Sequence, residues 1–284
     1  MRRVAALAAL AAGLSALPPA GPAAALPETR PGQAPWRLVF ADEFDGDRLD
    51  AARWATAYDR PGGMARSNWD NGEAQWYRPE NIAVGDGLLR LVARREETAD
   101  PLGGRRFAFT SGMITSKPSF SFRYGYMEAR MKLPAGRGFW PAFWAWPRNE
   151  QWPPEIDVME FYGDDRTRIH LTLHGPEGES ASTVLLPDWT AGWHVFAVDW
   201  QPNRVTWYVD GLVRKTTSRS PDLPMYLIAN LAVANGRRAP APDAGTPFPA
   251  DLAIDYIRVY ARGTAATAES PVAESPAEKP AATP

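Results

Sequence analysis

No long stretch of this 284-residue chain keeps a 3.6-residue apolar period. Short runs of β-branched, aromatic and alternating residues follow one another instead, and turn signals separate them. The clear runs are Arg37–Phe40, Leu88–Arg94, Met113–Ser116, Tyr124–Leu133, Ile156–Phe161, Ile169–His174, Thr183–Leu186, His194–Trp200, Arg204–Asp210, Tyr226–Val233 and Ile254–Tyr260. Between them stand Gly85-Asp86-Gly87, Pro134-Ala135-Gly136, Gly163-Asp164-Asp165, Pro202-Asn203 and Asp210-Gly211. Arg204–Tyr208, Asp210-Gly211 and Val213–Thr216 read as a hairpin. Many short strands with regular turns predict an all-β sandwich or barrel.

The ends of the chain differ from its body. Met1-Arg2-Arg3, an Ala/Leu-rich run to Leu17 and small residues ending at Ala25 predict a cleaved secretory signal peptide over 1–25. The apolar run is short for a membrane span. Residues 26–34 read as a linker. Residues 263–284 hold Ala, Pro, Glu, Ser and Thr without an aromatic, so they cannot bury enough apolar surface to fold. One folded domain is expected over 35–262, secreted to the extracellular space or periplasm, and monomeric. Cysteine is absent, which removes thiol chemistry. The formal charge is −2 and no basic run stands out, which argues against nucleic acid as a partner.

Glu155-Ile156-Asp157-Val158-Met159-Glu160-Phe161 is the unusual strand. Acids are costly to bury and scarce in strand interiors. Glu155 and Asp157, two apart, share a face, whereas strict alternation puts Met159 rather than Glu160 beside them. One β-bulge at Val158-Met159 would return Glu160 to the acid face. Paired carboxyls on one surface fit glycoside hydrolysis, which needs two of them about one scissile bond. Solvated acids on an edge strand, or a metal site, are the competing readings of the same residues.

That segment resembles the E-x-D-x-x-E signature of glycoside hydrolase family 16, in the bulged form of its laminarinase-like branch. Phe40–Gly46, Gly138–Trp144, Trp193–Asp199, Trp207–Gly211, Asn230–Val233 and Asp255–Tyr260 resemble other strands of the family, in order along the body. The resemblance implies a concanavalin-like β-jelly roll of two antiparallel sheets with a concave substrate groove. It implies a secreted, retaining endo-glycosidase acting on β-1,3- or mixed β-1,3-1,4-glucan, with Glu155 as nucleophile, Glu160 as general acid and base, and Asp157 tuning both. A transglycosylase, a depolymerase of bacterial exopolysaccharide and a non-catalytic glucan-binding protein stay open.

Around these acids, Trp140 and Trp144 are four apart and share a strand face, where indoles would stack on sugar rings. Phe143 alternates towards the core. His174 resembles a family residue beside Glu160, Asn71 a polar contact at the groove's non-reducing end. Trp146 and Trp152 frame a loop and either shape the cleft or pack, while His170 and His194 read as structural. Met113 stands where laminarinase-like members often carry Arg, which leaves linkage preference open. No cofactor is implied for catalysis. A structural Ca²⁺ is implied, held by the Asp255 side chain with the carbonyls of Glu43 and Gly87.

Overall fold

Strand-forming runs of this length cannot satisfy their backbone groups alone, and they pair into two antiparallel sheets. The computed structural model describes residues 35–60, 63–101 and 104–262. The signal peptide, linker and tail expected from the sequence lie outside the described residues. Fourteen strands build the two sheets. The outer sheet contains β1 (Trp36–Asp42), β2 (Ile82–Gly85), β3 (Leu88–Ala93), β5 (Gly125–Lys132), β10 (His194–Gln201), β11 (Arg204–Val209), β12 (Leu212–Thr217) and β14 (Ala250–Arg262). Its order is β12-β11-β10-β5-β14-β3-β2, with β1 also paired to β14. The inner sheet contains β4 (Met113–Thr115), β6 (Phe139–Pro147), β7 (Glu155–Phe161), β8 (Arg168–Gly175), β9 (Gly178–Leu185) and β13 (Met225–Val233), in the order β4-β13-β6-β7-β8-β9. No helix among the described residues is long and apolar enough to cross a membrane. The fold is the all-β jelly roll expected from the sequence.

Residues alternate between the two faces of the inner sheet. Phe139, Phe143 and Ala145 of β6, Ile169, Leu171 and Leu173 of β8, and Leu227, Ala229, Leu231 and Val233 of β13 enter the core between the sheets. The outer sheet answers with Phe196, Val198, Trp200, Val205, Trp207, Val209, Ile257 and Val259. Trp200 and Trp207 are fully buried, and truncating a side chain of that size costs about 3–5 kcal/mol. Strand β6 stands out from the sequence only through its resemblance, because a run of aromatic and small residues buried on both faces has no polar alternation to betray a period. Strand β9 starts earlier than Thr183, since the polar Gly178–Ser182 segment also pairs with β8.

The turn after β7 sets the reach of the groove wall. The Gly163 N–H donates to the Phe139 carbonyl at 2.9 Å. A Cβ at Gly163 would stand inside van der Waals contact of the Gly136 carbonyl oxygen, which is backbone and cannot swing aside. Gly163→Ala should therefore destabilise the fold by about 1–3 kcal/mol, seen as a lower urea midpoint with an unchanged slope.

Candidate active site

Across the inner sheet, every second residue faces away from the core. Trp140, Ala142, Trp144 and Trp146 of β6 line one groove of about 620 Å³ with His170, Thr172 and His174 of β8 and Asn230 and Ala232 of β13. On β7 the two-residue rhythm breaks. Asp157 faces Thr172 while Glu160 faces His170, so three steps on β7 answer two on β8. Against β6, Phe143 faces Met159 and Trp144 faces Asp157. Val158 is the extra residue. Val158 and Met159 both enter the core beside Ile156 and Phe161, and Glu155, Asp157 and Glu160 all reach the groove. The bulge lies where the spacing of the acids requires it.

A bulge leaves backbone groups of the ladder unpaired. Here the Asp157 carbonyl accepts a hydrogen bond from Trp207 Nε1 of the opposite sheet at 2.8 Å. Strand β11 thus braces β7 from behind at the point where β7 departs from regular pairing.

The three carboxyls occupy different surroundings. Glu155 accepts from Trp152 Nε1 at 2.7 Å and shares a hydrogen bond with Asp157. Glu160 accepts from Trp140 Nε1 at 3.0 Å. Asp157 is 2 % exposed, and His174 Nε2 lies 3.1 Å from its Oδ2. Burial raises the pKa of all three. For Glu155 the Asp157 charge adds to that rise, and for Asp157 the Glu160 charge does. Glu160 is raised to about 7 by burial and then by the Glu155 charge, against the Trp140 hydrogen bond. Like charges held this close do not all ionise together, so the cluster carries protons at neutral pH.

His174 lines the groove, but Glu160 is not the acid directly opposite it. It faces Glu155 across the β7–β8 ladder, and the residue facing Glu160 is His170. The two histidines stand four residues apart on β8, and which of them faces which glutamate is set by where the β7–β8 ladder begins, which a reading of β8 alone does not show. His170 also touches Tyr162, with ring centroids 5.0 Å apart, and burial lowers its pKa. It lines the groove rather than serving a purely structural part. His194 does serve one: its Nδ1 is 2.8 Å from Asp210 Oδ2 and its ring packs on Trp189.

Both candidate tryptophans face the groove. Trp140 is tied to Glu160, as above. Trp144 donates to Asn230 Oδ1 at 2.8 Å, and Asn230 donates in turn to the Tyr77 hydroxyl at 2.9 Å. Met113 is fully buried beneath them, among Tyr58, Tyr77, Trp144 and Ile228, so it fills the floor and does not line the groove. Trp146 and Trp152 both line it, and Trp152 is 57 % exposed. Asn71 lines the opposite end, in a short turn spanning Trp69–Asn71. Arg238 Nε donates to the Asn71 carbonyl at 3.1 Å and Arg237 Nη1 to the Asp70 carbonyl at 2.5 Å. Nothing in the sequence marks this pair of arginines as fasteners for a loop about 167 residues away; only a run of two basic residues after Asn235-Gly236 is visible there.

Two groups of residues were candidates for metals. Asp255, expected to hold calcium, has its carboxylate 2.6 Å from Arg130 Nη1, both side chains mostly buried. Glu43 makes a two-point ion pair with Arg258 at 2.8 and 2.7 Å. Gly87 does lie close to the segment after Glu43, since a Cβ there would meet Asp45 Oδ1 at 3.8 Å. With a guanidinium already neutralising its one side-chain donor, this neighbourhood does not fit a hard cation that wants several free oxygens, and calcium has no place in the chemistry below. Among the described residues, Glu155, Asp157 and His174 also bring ligand atoms within 4.8 Å of one another. Glu155 and Asp157 share a hydrogen bond and Trp152 donates to Glu155, which makes a proton-sharing set instead.

Similarity to known proteins bears on this geometry. Residues 70–257 match the model for glycosyl hydrolases family 16, a span that holds the whole acid strand. The chain belongs to that family. A β-glucanase of Rhodothermus marinus is 35 % identical over 265 residues, covering 81 % of this chain and 87 % of that protein. An endo-1,3-1,4-beta-glycanase of Rhizobium meliloti, EglC, is 34 % identical and matched over 78 % of this chain and 51 % of its own length. The catalytic domain of an endo-1,3-beta-glucanase (laminarinase) from Thermotoga petrophila superposes with a TM-score of 0.74 at 34 % identity, covering 81 % of this chain and all of that one. As a member of the family this protein is a glycoside hydrolase, and such enzymes need no cofactor for catalysis.

The buried acids have a stability cost with a definite sign. A carboxyl whose folded pKa is raised contributes stability that is present below its unfolded pKa and lost as pH rises through the folded value. For Glu160 that window runs from about 4.5 to about 7. Glu160→Gln keeps the acceptor for Trp140 and removes the ionisation. Its melting temperature should exceed that of the wild type at pH 8, and the gap should close towards pH 4.5.

Proposed function

We propose that this protein is a secreted, retaining endo-glycosidase that cleaves β-1,3- or mixed β-1,3-1,4-glucan. The observation that carries the reading is the bulge that delivers two glutamates and an aspartate to the floor of one aromatic groove. The similar proteins support the substrate class: one is named a beta-glucanase, one an endo-1,3-1,4-beta-glycanase and one an endo-1,3-beta-glucanase.

The chemistry requires one glutamate ionised and the other protonated in the same complex. Glu155, ionised and sharing a proton with Asp157, attacks the anomeric carbon of the sugar bound over Trp140 and Trp144. Glu160, protonated because its pKa is near 7, gives its proton to the departing glycosidic oxygen. A glycosyl–Glu155 ester forms and the glycosidic bond breaks. Glu160, now a carboxylate, takes a proton from water as that water attacks the anomeric carbon and Glu155 leaves. Two inversions restore the starting configuration. Trp152 and Asp157 hold Glu155 in line and share its negative charge through hydrogen bonds.

The groove favours a neutral polymer. Seven carboxylate side chains line it against Arg238 as the one arginine or lysine among the described residues. A polyanion such as a sulfated galactan would meet repulsion along most of that surface, even though a relative at 29 % identity is named a keratan-sulfate endo-1,4-beta-galactosidase. Secretion rests on the leader-like first 25 residues.

Purified protein incubated with laminarin, lichenan, agarose and carrageenan should release reducing ends from the first two, and Glu155→Ala should fall to background. Proton NMR of the first product should show the β-anomer before mutarotation. Turnover should decline above about pH 7 as Glu160 loses the proton it must donate. Release from none of the four polymers, with Glu155→Ala indistinguishable from wild type, would sink the assignment.

A further inference from the structure

One buried cation takes no part in the chemistry above. Edge strand β12 has an inverted burial pattern: Leu212 and Val213 are 58 % and 59 % exposed, while Lys215 is 8 % exposed. The cause is a second bulge. Val213 pairs with Tyr208 but Lys215 pairs with Trp207, leaving Arg214 as the extra residue and turning Lys215 between the sheets. An ammonium there needs its donors satisfied. Nζ donates to the Leu171 carbonyl of β8 at 2.9 Å and to the Ser180 carbonyl of β9. Its third side faces the Trp207 ring, 4.2 Å from the centroid. Trp207 is the residue whose indole N–H holds the Asp157 carbonyl. Two bulges on opposite sheets are therefore joined through one lysine and one tryptophan.

We propose that Lys215 is a positioning residue for the catalytic carboxylates, fixing Trp207 against the bulge and favouring the singly ionised form of the Glu155–Asp157 pair from behind the sheet. The proposal rests on the glycosidase reading of those acids. The charges acting on Lys215 are Asp157 of β7 and Glu179 of β9, and burial outweighs them to set its pKa at about 8, so it stays mostly protonated at neutral pH. Asp157 in turn faces Glu160 on its own strand, Lys215 on β12 and Glu179 on β9, with His174 of β8 beside it. Lys215 is the one lysine or arginine in that set. Its charge opposes the repulsion that would otherwise keep both members of the pair protonated.

The test is the pH dependence of kcat on laminarin for wild type, Lys215→Met, Lys215→Gln and Lys215→Arg. Loss of the cation should move the acid limb up by about one pH unit, an extra tenfold loss of turnover on the acid side. Lys215→Arg should keep the wild-type limb, because the charge remains. Lys215→Gln retains a donor without charge and carries the same test should Lys215→Met not fold. Trp207→Phe, which keeps the aromatic face and loses the N–H, should lower kcat about tenfold at unchanged KM.

A readout without substrate separates this proposal from the one it rests on. The Asp157 carboxyl, titrated by carbon-13 NMR in Asp-labelled protein with Asp157→Asn for assignment, should show a raised midpoint in the neutral Lys215 variants. A moved midpoint in an enzyme inactive on every glucan would overturn the substrate reading and support this one. An active enzyme whose limb and midpoint both stay in place, or whose turnover falls equally at all pH values, would overturn this one. Should neither neutral variant fold, wild-type kcat in Trp207→Phe would overturn it.

Discussion

The hydrogen bond from Trp207 to the Asp157 carbonyl holds the working part of this molecule together. Alternation has period two, and a strand that keeps it delivers at most every second residue to the groove. Glu155, Asp157 and Glu160 do not obey that rule. Val158 is inserted to bring the third acid around, and its insertion breaks the ladder to both neighbours. A broken ladder in a dry interior leaves an acceptor that must be paired. The opposite sheet supplies the donor, so the placement of the acids in one layer depends on the packing of the other.

The same economy runs through the electrostatics. Burying three carboxyls under aromatic side chains raises their pKa values and keeps protons on the cluster at neutral pH. That is unfavourable for stability and favourable for chemistry, because hydrolysis needs one acid charged and one protonated at once. Indole N–H groups oppose part of that rise at both glutamates. Trp152 and Trp140 each donate to one glutamate, so tryptophans that line the groove also fix the rotamers of the two glutamates.

Much of this was legible in the residues. The strand cadence without a helical period led to a two-sheet fold, and the spacing of the acids located the bulge. Other parts were not legible, for reasons that can be named. The β7–β8 ladder put His174 opposite Glu155 and His170 opposite Glu160, so that His170 joined His174 in the groove. Met113 looked like a substrate-facing departure and proved to be floor packing, because a short strand can present either face to the groove. Asp255 looked like a metal ligand until Arg130 was found against it. The Arg237 and Arg238 clasp on the Asn71 loop joins positions far apart in the chain, and no local pattern encodes such a contact.

The amino-acid sequence by itself determined the β character of the chain, the identity of the three acids and the need for a bulge between them, since each follows from spacing within a few residues. Tertiary structure alone decided which histidine faces which acid, where the tryptophan N–H groups point and that a lysine from the far sheet stands behind the acid strand. Those outcomes depend on register between strands and on the packing of two layers. Register is set by the summed fit of every pair along a ladder, and a single inserted residue changes it without leaving any mark on the neighbouring strand's sequence.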